Sequence, residues 1–249
     1  MTAPLLLEHE LSVNRNLIDR WLEERLSSQC GPVGVAMRYA VLGGQRLRPI
    51  LAVRVAEFTG GVCEATRLAA CAVELLHCAS LIVDDLPCMD NDAVRRNRPT
   101  VHLQFGEATA LLAAFALVGL AARTVAHLPA FQVKLLRMLD ASSLVGGQAL
   151  DLARRGEQRE QVANLKTVPL FQLAAEAGLL SGGEHHRKRL LAFSREVGLA
   201  YQMKDDEIDG ELTGRDAVES QFAKARALLA PFGDSAAGLH AFLDHLNHA

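Results

Sequence analysis

Aromatic side chains are scarce in this sequence: one Trp, two Tyr and nine Phe in 249 residues. Sheets favour aromatic and β-branched residues, whereas this chain is rich in Ala and Leu, so helices are expected and a β-sandwich is not. Cysteines are few and odd in number (Cys30, Cys63, Cys71, Cys78, Cys88), with no CxxC pair. They read as reduced thiols packed in the helices of a cytoplasmic protein, not as a disulfide framework. An excess of basic charge is also missing: 26 Lys and Arg stand against 29 Asp and Glu, which argues against nucleic acid as a partner. The start, MTAPLLLEHELS, lacks the basic and long apolar regions of a signal peptide. The longest charge-free stretch, Ala108–Ala122, is about fifteen residues, short of the twenty or so that span a bilayer, so no membrane span is expected. Repeats, low-complexity linkers and composition shifts are absent, and residues 1–249 read as one domain.

What is present is helical periodicity. Residues 8–28 place Leu11, Ile18, Trp21, Leu22 and Leu26 on one face. Cys30-Gly31-Pro32 breaks this helix, and another begins at Met37–Val41. After Gly43-Gly44, Pro49 opens a helix over 50–59, which Gly60-Gly61 ends. A helix over about 64–85 is apolar on most faces and is expected at the centre of the fold. A loop over 95–100 precedes helices at about 107–125, 130–151, 158–180 (kinked at Pro169), 184–209 and 214–249. The fold class is all-α, one bundle of roughly ten helices.

The chain is organised around HCASLIVDDLPCMDNDAVRRNRPT, residues 77–100. An apolar run delivers Asp84 and Asp85. Pro87 then disturbs the helical ladder, which lets Asp90 return towards Asp84. A second acidic cluster, Asp205, Asp206 and Asp209, lies far downstream, with Asp205 and Asp209 four residues apart on one helix face. Carboxylates grouped in this way repel unless a cation sits between them. Mg²⁺ suits the pattern, because it takes one or two carboxylates and keeps positions for water and phosphate oxygens. Arg95 and Arg96 beside it suit a diphosphate. His77 lies two turns before Asp84, roughly 10 Å along the axis. Solvated acids, a satisfied core histidine and a surface arginine pair are the plain alternatives, and the two clusters together weigh against them. His185, His186, His245 and His248 look metal-like but do not fall in a metal-ligand spacing pattern, and they read as surface residues.

Five segments in order then resemble the trans-isoprenyl diphosphate synthases, or polyprenyl synthetases, over about residues 37–210. They are GGQRLRP (43–49), LIVDDLPCMDNDAVRRNRPT, GGQALDL (146–152), LKTVPLF (165–171) and YQMKDDEID (201–209). The resemblance implies a deep central cavity between two aspartate-rich helices. It implies several Mg²⁺ ions held by Asp84, Asp85, Asp90, Asp205, Asp206 and Asp209, which clamp an allylic diphosphate. Arg95, Lys166, Thr167 and Gln202 match the allylic side, with Lys166 also among the catalytic residues. Gln45, Arg48, His77 and Arg96 match the isopentenyl diphosphate pocket. The implied reaction is a head-to-tail condensation. Small residues at Ala79 and Ser80, below the metal site, leave room for a longer chain, so geranylgeranyl diphosphate is expected and farnesyl diphosphate second. Family members usually dimerise, and the 108–122 helix is the candidate face for a homodimer.

The sequence departs from the family pattern at Gln45 (usually Lys), Val83 (usually His) and Asn97 (usually Gly). After Asp209 a segment of some twenty residues with a diphosphate-binding lysine is missing. Either Arg215 or Lys204 substitutes for it, or the active-site lid is incomplete. Two rival readings follow: a non-catalytic partner subunit of a heteromeric prenyltransferase, and a class I terpene cyclase. Two intact acidic clusters argue against the first. YQMKDDEID lacks the second metal motif of the other.

Overall fold

The computed structural model describes residues 3–154, 159–208 and 215–248, with side chains over 12–153, 160–208 and 215–248. Thirteen α-helices occur among the described residues. The first group is α1 (Ala3–Leu26), α2 (Gly31–Val41), α3 (Leu47–Thr59) and α4 (Glu64–Asp84). A two-residue hairpin, β1 (Val94–Arg95) and β2 (Arg98–Pro99), leads to α5 (Val101–Phe105) and α6 (Glu107–Thr124). Then come α7 (Pro129–Arg137), α8 (Leu144–Arg154), α9 (Arg159–Lys166), α10 (Val168–Gly178), α11 (Arg187–Ile208), α12 (Arg215–Leu229) and α13 (Ala237–His248). The all-α expectation holds.

Helix α4 is the central strut, packed on α1, α2, α3, α6, α7 and α10. Its Ala69, Ala70, Ala72, Val73, Leu75 and Leu76 are all buried, which explains a sequence apolar on most faces. Small residues let helices approach closely. A Cβ on Gly178 of α10 would stand 2.5 Å from Val55 Cβ of α3, so only glycine fits that crossing. One core cluster runs from Ile18 on α1 to Leu246 on α13.

Several boundaries differ from the sequence expectation. Helix α2 starts at Gly31, because Pro32 is accommodated in its first turn. The single helix expected over 130–151 is two. Asp140 and Ser143 form a turn (Ser143 N–H to Asp140 C=O, 3.0 Å), and the backbone then doubles back so closely that a Cβ on Gly146 would lie 1.7 Å from Ala141 O. The kink expected at Pro169 is a full break at Thr167, with Pro169 in the first turn of α10. The expected 95–100 loop is a hairpin in which Val94 pairs with Pro99 and Arg95 with Arg98. Its central residues Arg96 and Asn97 have φ of 54° and 59°, the left-handed pair of a tight hairpin turn. Asn tolerates that region, so Asn97 can stand where glycine is usual. By length and composition α4 and α6 are both long and apolar enough to cross a membrane. Helix α4, however, is mostly buried against other helices of the bundle.

Candidate active site

Asp84 is the last residue of α4 and Asp85 its cap; they are 8% and 2% exposed. The chain then turns back, and the Asp90 N–H donates to the Asp84 carbonyl at 2.9 Å, the return expected from Pro87. Burial raises the Asp84 carboxyl to about 6. Lys166 opposes this, while Asp90 and Asp85 add repulsion. Asp85 is also raised, by burial, with Arg95 opposing. Arg95 donates Nε (3.0 Å) and Nη2 (2.6 Å) to Asp85 Oδ1, and Nη2 to Asp92 Oδ2 (2.7 Å). Asp85, expected among the metal ligands, therefore spends one carboxylate oxygen on orienting Arg95.

The facing wall comes from the α9–α10 junction and α11. Lys166 Nζ lies 3.7 Å from Asp84 Oδ2 and 3.1 Å from Asp151 Oδ2. Thr167 Oγ1 donates to Gln202 Oε1 (2.7 Å), and Gln202 Nε2 donates to Asp206 Oδ1 (2.9 Å). The break at Thr167 thus ties α9 to the second acidic cluster. Asp209 lies outside the described residues.

A third wall is basic. Arg48 of α3 is buried, lies over the Phe171 ring (4.9 Å) and donates Nη1 to His77 Nε2 (3.1 Å), while its Nε is buried without a partner. Burial first, then Arg48, Arg96, Arg46 and Arg95, push His77 well below its ordinary value. The imidazole is therefore neutral, and with Nε2 accepting from Arg48 its proton sits on Nδ1.

Arg96 lines the cavity, but its Nη1 donates to the carbonyls of Ala40 (2.9 Å), Leu42 (3.2 Å) and Val41 (3.3 Å). Arg98 Nη2 bonds Tyr39 O and Leu42 O, so two arginines satisfy the orphan carbonyls at the end of α2. Arg96, expected in the isopentenyl diphosphate pocket, thus lines the cavity while the left-handed turn at Arg96 and Asn97 anchors it on α2.

These walls enclose one cavity of about 1070 Å³. Asp84, Asp90, Asp205 and Asp206 line it together with Gln45, Arg48, His77, Ser80, Arg95, Lys166, Thr167 and Gln202. Asp85 and Ala79 are not in its lining. Ala79 is 2% exposed and packs in the core, so only Ser80 of the expected chain-length pair faces the chamber. The two proposed substitutes for the missing lysine lie elsewhere. Lys204 Nζ caps α13, bonding Leu246 O (2.9 Å) and Asn247 O (3.0 Å), and Arg215 is an exposed partner of Glu219 on α12. Sequence reasoning missed Asp92, Asp151, Tyr201, Glu74 and Arg46 in the lining. Asp151 was within reach, because it lies inside the GGQALDL segment. So was Arg46, which lies inside the GGQRLRP segment; Glu74 had no local signal.

The carboxylates offer hard oxygen donors in a chamber whose acidic side chains outnumber its basic ones. Among the described residues no three acidic, histidine or cysteine side chains form a ready cage. Mg²⁺ needs none, since it takes one or two carboxylates and completes its shell with phosphate and water. The high value of Asp84, a buried carboxyl beside two others, marks a place where added positive charge is stabilising. The residues fit the ion.

Known structures share this architecture. The chain superimposes on an FPP/GFPP synthase from Zymomonas mobilis with a TM-score of 0.88 and 32% identity, covering 98% of this chain and 99% of that one. A geranyltransferase from Legionella pneumophila gives 0.88 and 28%, covering 99% of each. The fold is that of the all-helical isoprenoid synthases. The polyprenyl synthetase family model matches residues 33–218, and the chain belongs to that family. Geranylgeranyl pyrophosphate synthase 10, mitochondrial, of Arabidopsis thaliana is 38% identical over 221 residues, 78% of this chain and 64% of that protein. Heterodimeric geranylgeranyl pyrophosphate synthase large subunit 2 of the same plant is 39% identical over 210 residues, 76% of this chain and 56% of that protein. The chain thus spans under two thirds of the length of these curated relatives.

Proposed function

We propose that residues 1–249 form one prenyltransferase domain that condenses isopentenyl diphosphate with an allylic diphosphate. The observation that carries this reading is the shared chamber: Asp84 and Asp90 from one acidic segment and Asp205 and Asp206 from the other, with Arg48, Arg95 and Lys166 in the same lining. Asp84, Asp90, Asp205, Asp206 and Asp209 would hold several Mg²⁺ ions, with Asp85 contributing through Arg95. Bound there, Mg²⁺ supplies positive charge against the departing diphosphate.

The protein's own residues do the rest. Arg95, Lys166, Thr167 and Gln202 hold the allylic diphosphate, and Lys166 stabilises charge on its oxygens as the C1–O bond breaks. Arg48, with His77 and Gln45, holds the second diphosphate, and Arg96 keeps the wall behind them in place. The double bond of isopentenyl diphosphate attacks C1 of the allylic cation. A carbon–carbon bond forms, and a proton then leaves the new cation for the released diphosphate. Leu47, Leu81, Leu144, Leu152, Val162 and Leu170 in the cavity wall exclude water from the cation.

The product we propose is geranylgeranyl diphosphate, supported by the small Ser80 in the lining and by the names of the relatives. We propose a homodimer through α5 and α6, whose Leu103, Leu111, Leu112 and Phe115 are exposed. The test is to incubate the purified chain alone with Mg²⁺, farnesyl diphosphate and isopentenyl diphosphate and to analyse the dephosphorylated products by gas chromatography. Geranylgeraniol supports the reading. No elongated product from the chain alone, with turnover only on adding a partner subunit, would replace it with a regulatory-subunit role.

A further inference from the structure

Glu74 is a cavity-wall carboxylate only 2% exposed, one turn before His77 on α4. A carboxylate so buried pairs with whatever cation it can reach. Arg46 Nη1 holds it at 2.8 Å. Both residues line the same cavity as Arg48, whose charge burial opposes and Tyr201 and then Glu74 support.

The loop is shaped to keep Arg46 in that role. Arg46 is fully buried and gripped from three elements: Nε by Asp19 of α1 (2.7 Å), Nη1 by Glu74 of α4, and Nη2 by Val41 O at the end of α2 (2.6 Å). Its backbone lies at φ 60°, a region a non-glycine residue keeps only where its surroundings fix it. Gly44 is spaced to admit the side chain, since a Cβ there would fall 2.7 Å from Arg46 Nη1 and 2.9 Å from Arg96 Nη2. Two residues on, Arg48 is left with a neutral histidine, an aromatic face and an unpartnered Nε.

We infer that Arg46 is a positioning residue: it occupies Glu74, so that Arg48 stays free to take a diphosphate. The inference rests on reading Arg48 as part of the isopentenyl diphosphate pocket. Without Arg46, Glu74 is buried and unpaired, and Arg48 is drawn to it and away from the substrate.

Steady-state kinetics on the full chain with Mg²⁺ test this, comparing wild type, Arg46→Met and Arg46→Met/Glu74→Gln. Arg46→Met should raise KM for isopentenyl diphosphate about tenfold while KM for the allylic substrate stays within about twofold. Neutralising Glu74 in the double variant should return KM for isopentenyl diphosphate to within about threefold of wild type. A general loss of structure would move both KM values together, and that result overturns the inference. So does a double variant whose KM for isopentenyl diphosphate remains about tenfold high. If Arg46→Met alone fails to fold, the double variant decides by the same threshold. A wild-type chain without turnover overturns the functional reading itself, and this inference with it.

Discussion

Lys166 and Asp84 face each other across the cavity, Nζ 3.7 Å from Oδ2, with Asp151 on the far side of the ammonium at 3.1 Å. The lysine neutralises carboxylates that would otherwise repel, and burial of Lys166 works against its charge while Asp84 and Asp151 sustain it. In the proposed reaction the same ammonium meets the allylic diphosphate. Lys166→Met is therefore expected to lower kcat about 10²-fold or more, the size seen when one charge-stabilising donor is lost. Single-turnover rates of diphosphate release check this. A loss confined to KM would assign Lys166 to ground-state binding.

Asp84 makes stability depend on pH. Its carboxyl is raised to about 6 in the folded protein, above the ordinary carboxylate range of the unfolded chain. The folded form binds the proton more tightly, so this stabilisation is complete below about pH 4 and is lost as pH rises through about 6, up to about 3 kcal/mol. Asp84→Asn should therefore make the metal-free protein more stable at pH 7.5 by about 1–3 kcal/mol, with the gap shrinking towards pH 5. Urea melts at both values, with chelator present, measure it. With Asp84 as a proposed ligand, Mg²⁺ affinity should strengthen as the carboxyl ionises over the same pH interval.

Gly147 sets the distance between α8 and the end of α9. A Cβ there would stand 2.8 Å from Lys166 N and 2.9 Å from both Leu165 C and Leu165 Cβ. Gly147→Ala should push Lys166 away from Asp151 and Asp84, lowering stability by about 1–3 kcal/mol and lowering kcat as well. Thermal melts and initial rates test both. A variant with wild-type rates would show that Lys166 tolerates displacement.

Ser80 and Ala79 separate two effects at neighbouring positions. Ser80 faces the chamber and Ala79 packs in the core. Ser80→Phe should fill the cavity and shorten the product, while Ala79→Phe should lower stability by about 1–3 kcal/mol through overpacking. Product chromatography and melting curves distinguish them. Unchanged product length in Ser80→Phe would show that Ser80 does not limit chain length.

The sequence made α4 legible because a helix apolar on most faces has one place to go, and it made the return of Asp90 legible because Pro87 cannot continue a ladder. The all-helical class followed from the same periodicity. The break at 138–143, with its tight backbone contact of Gly146 on Ala141, was not legible. At Thr167 the sequence showed a kink at Pro169 but not the close approach of Gly147 to Lys166, a contact between helices that local spacing does not encode. For the same reason the site was read residue type by residue type, and its partners were not. Arg96 was legible as a cavity residue, whereas its engagement with the carbonyls of α2 comes from a hairpin turn across the chain. Arg46 and Glu74 lie on separate elements and meet only in the folded chamber.

The most direct test of the shared chamber is calorimetric titration of farnesyl diphosphate into the full chain, with Mg²⁺ and then with chelator. Mg²⁺ should tighten binding about tenfold or more, and Asp84→Asn and Asp205→Asn should each abolish that gain. Equal affinity in both buffers, or a gain that survives both substitutions, would contradict the account.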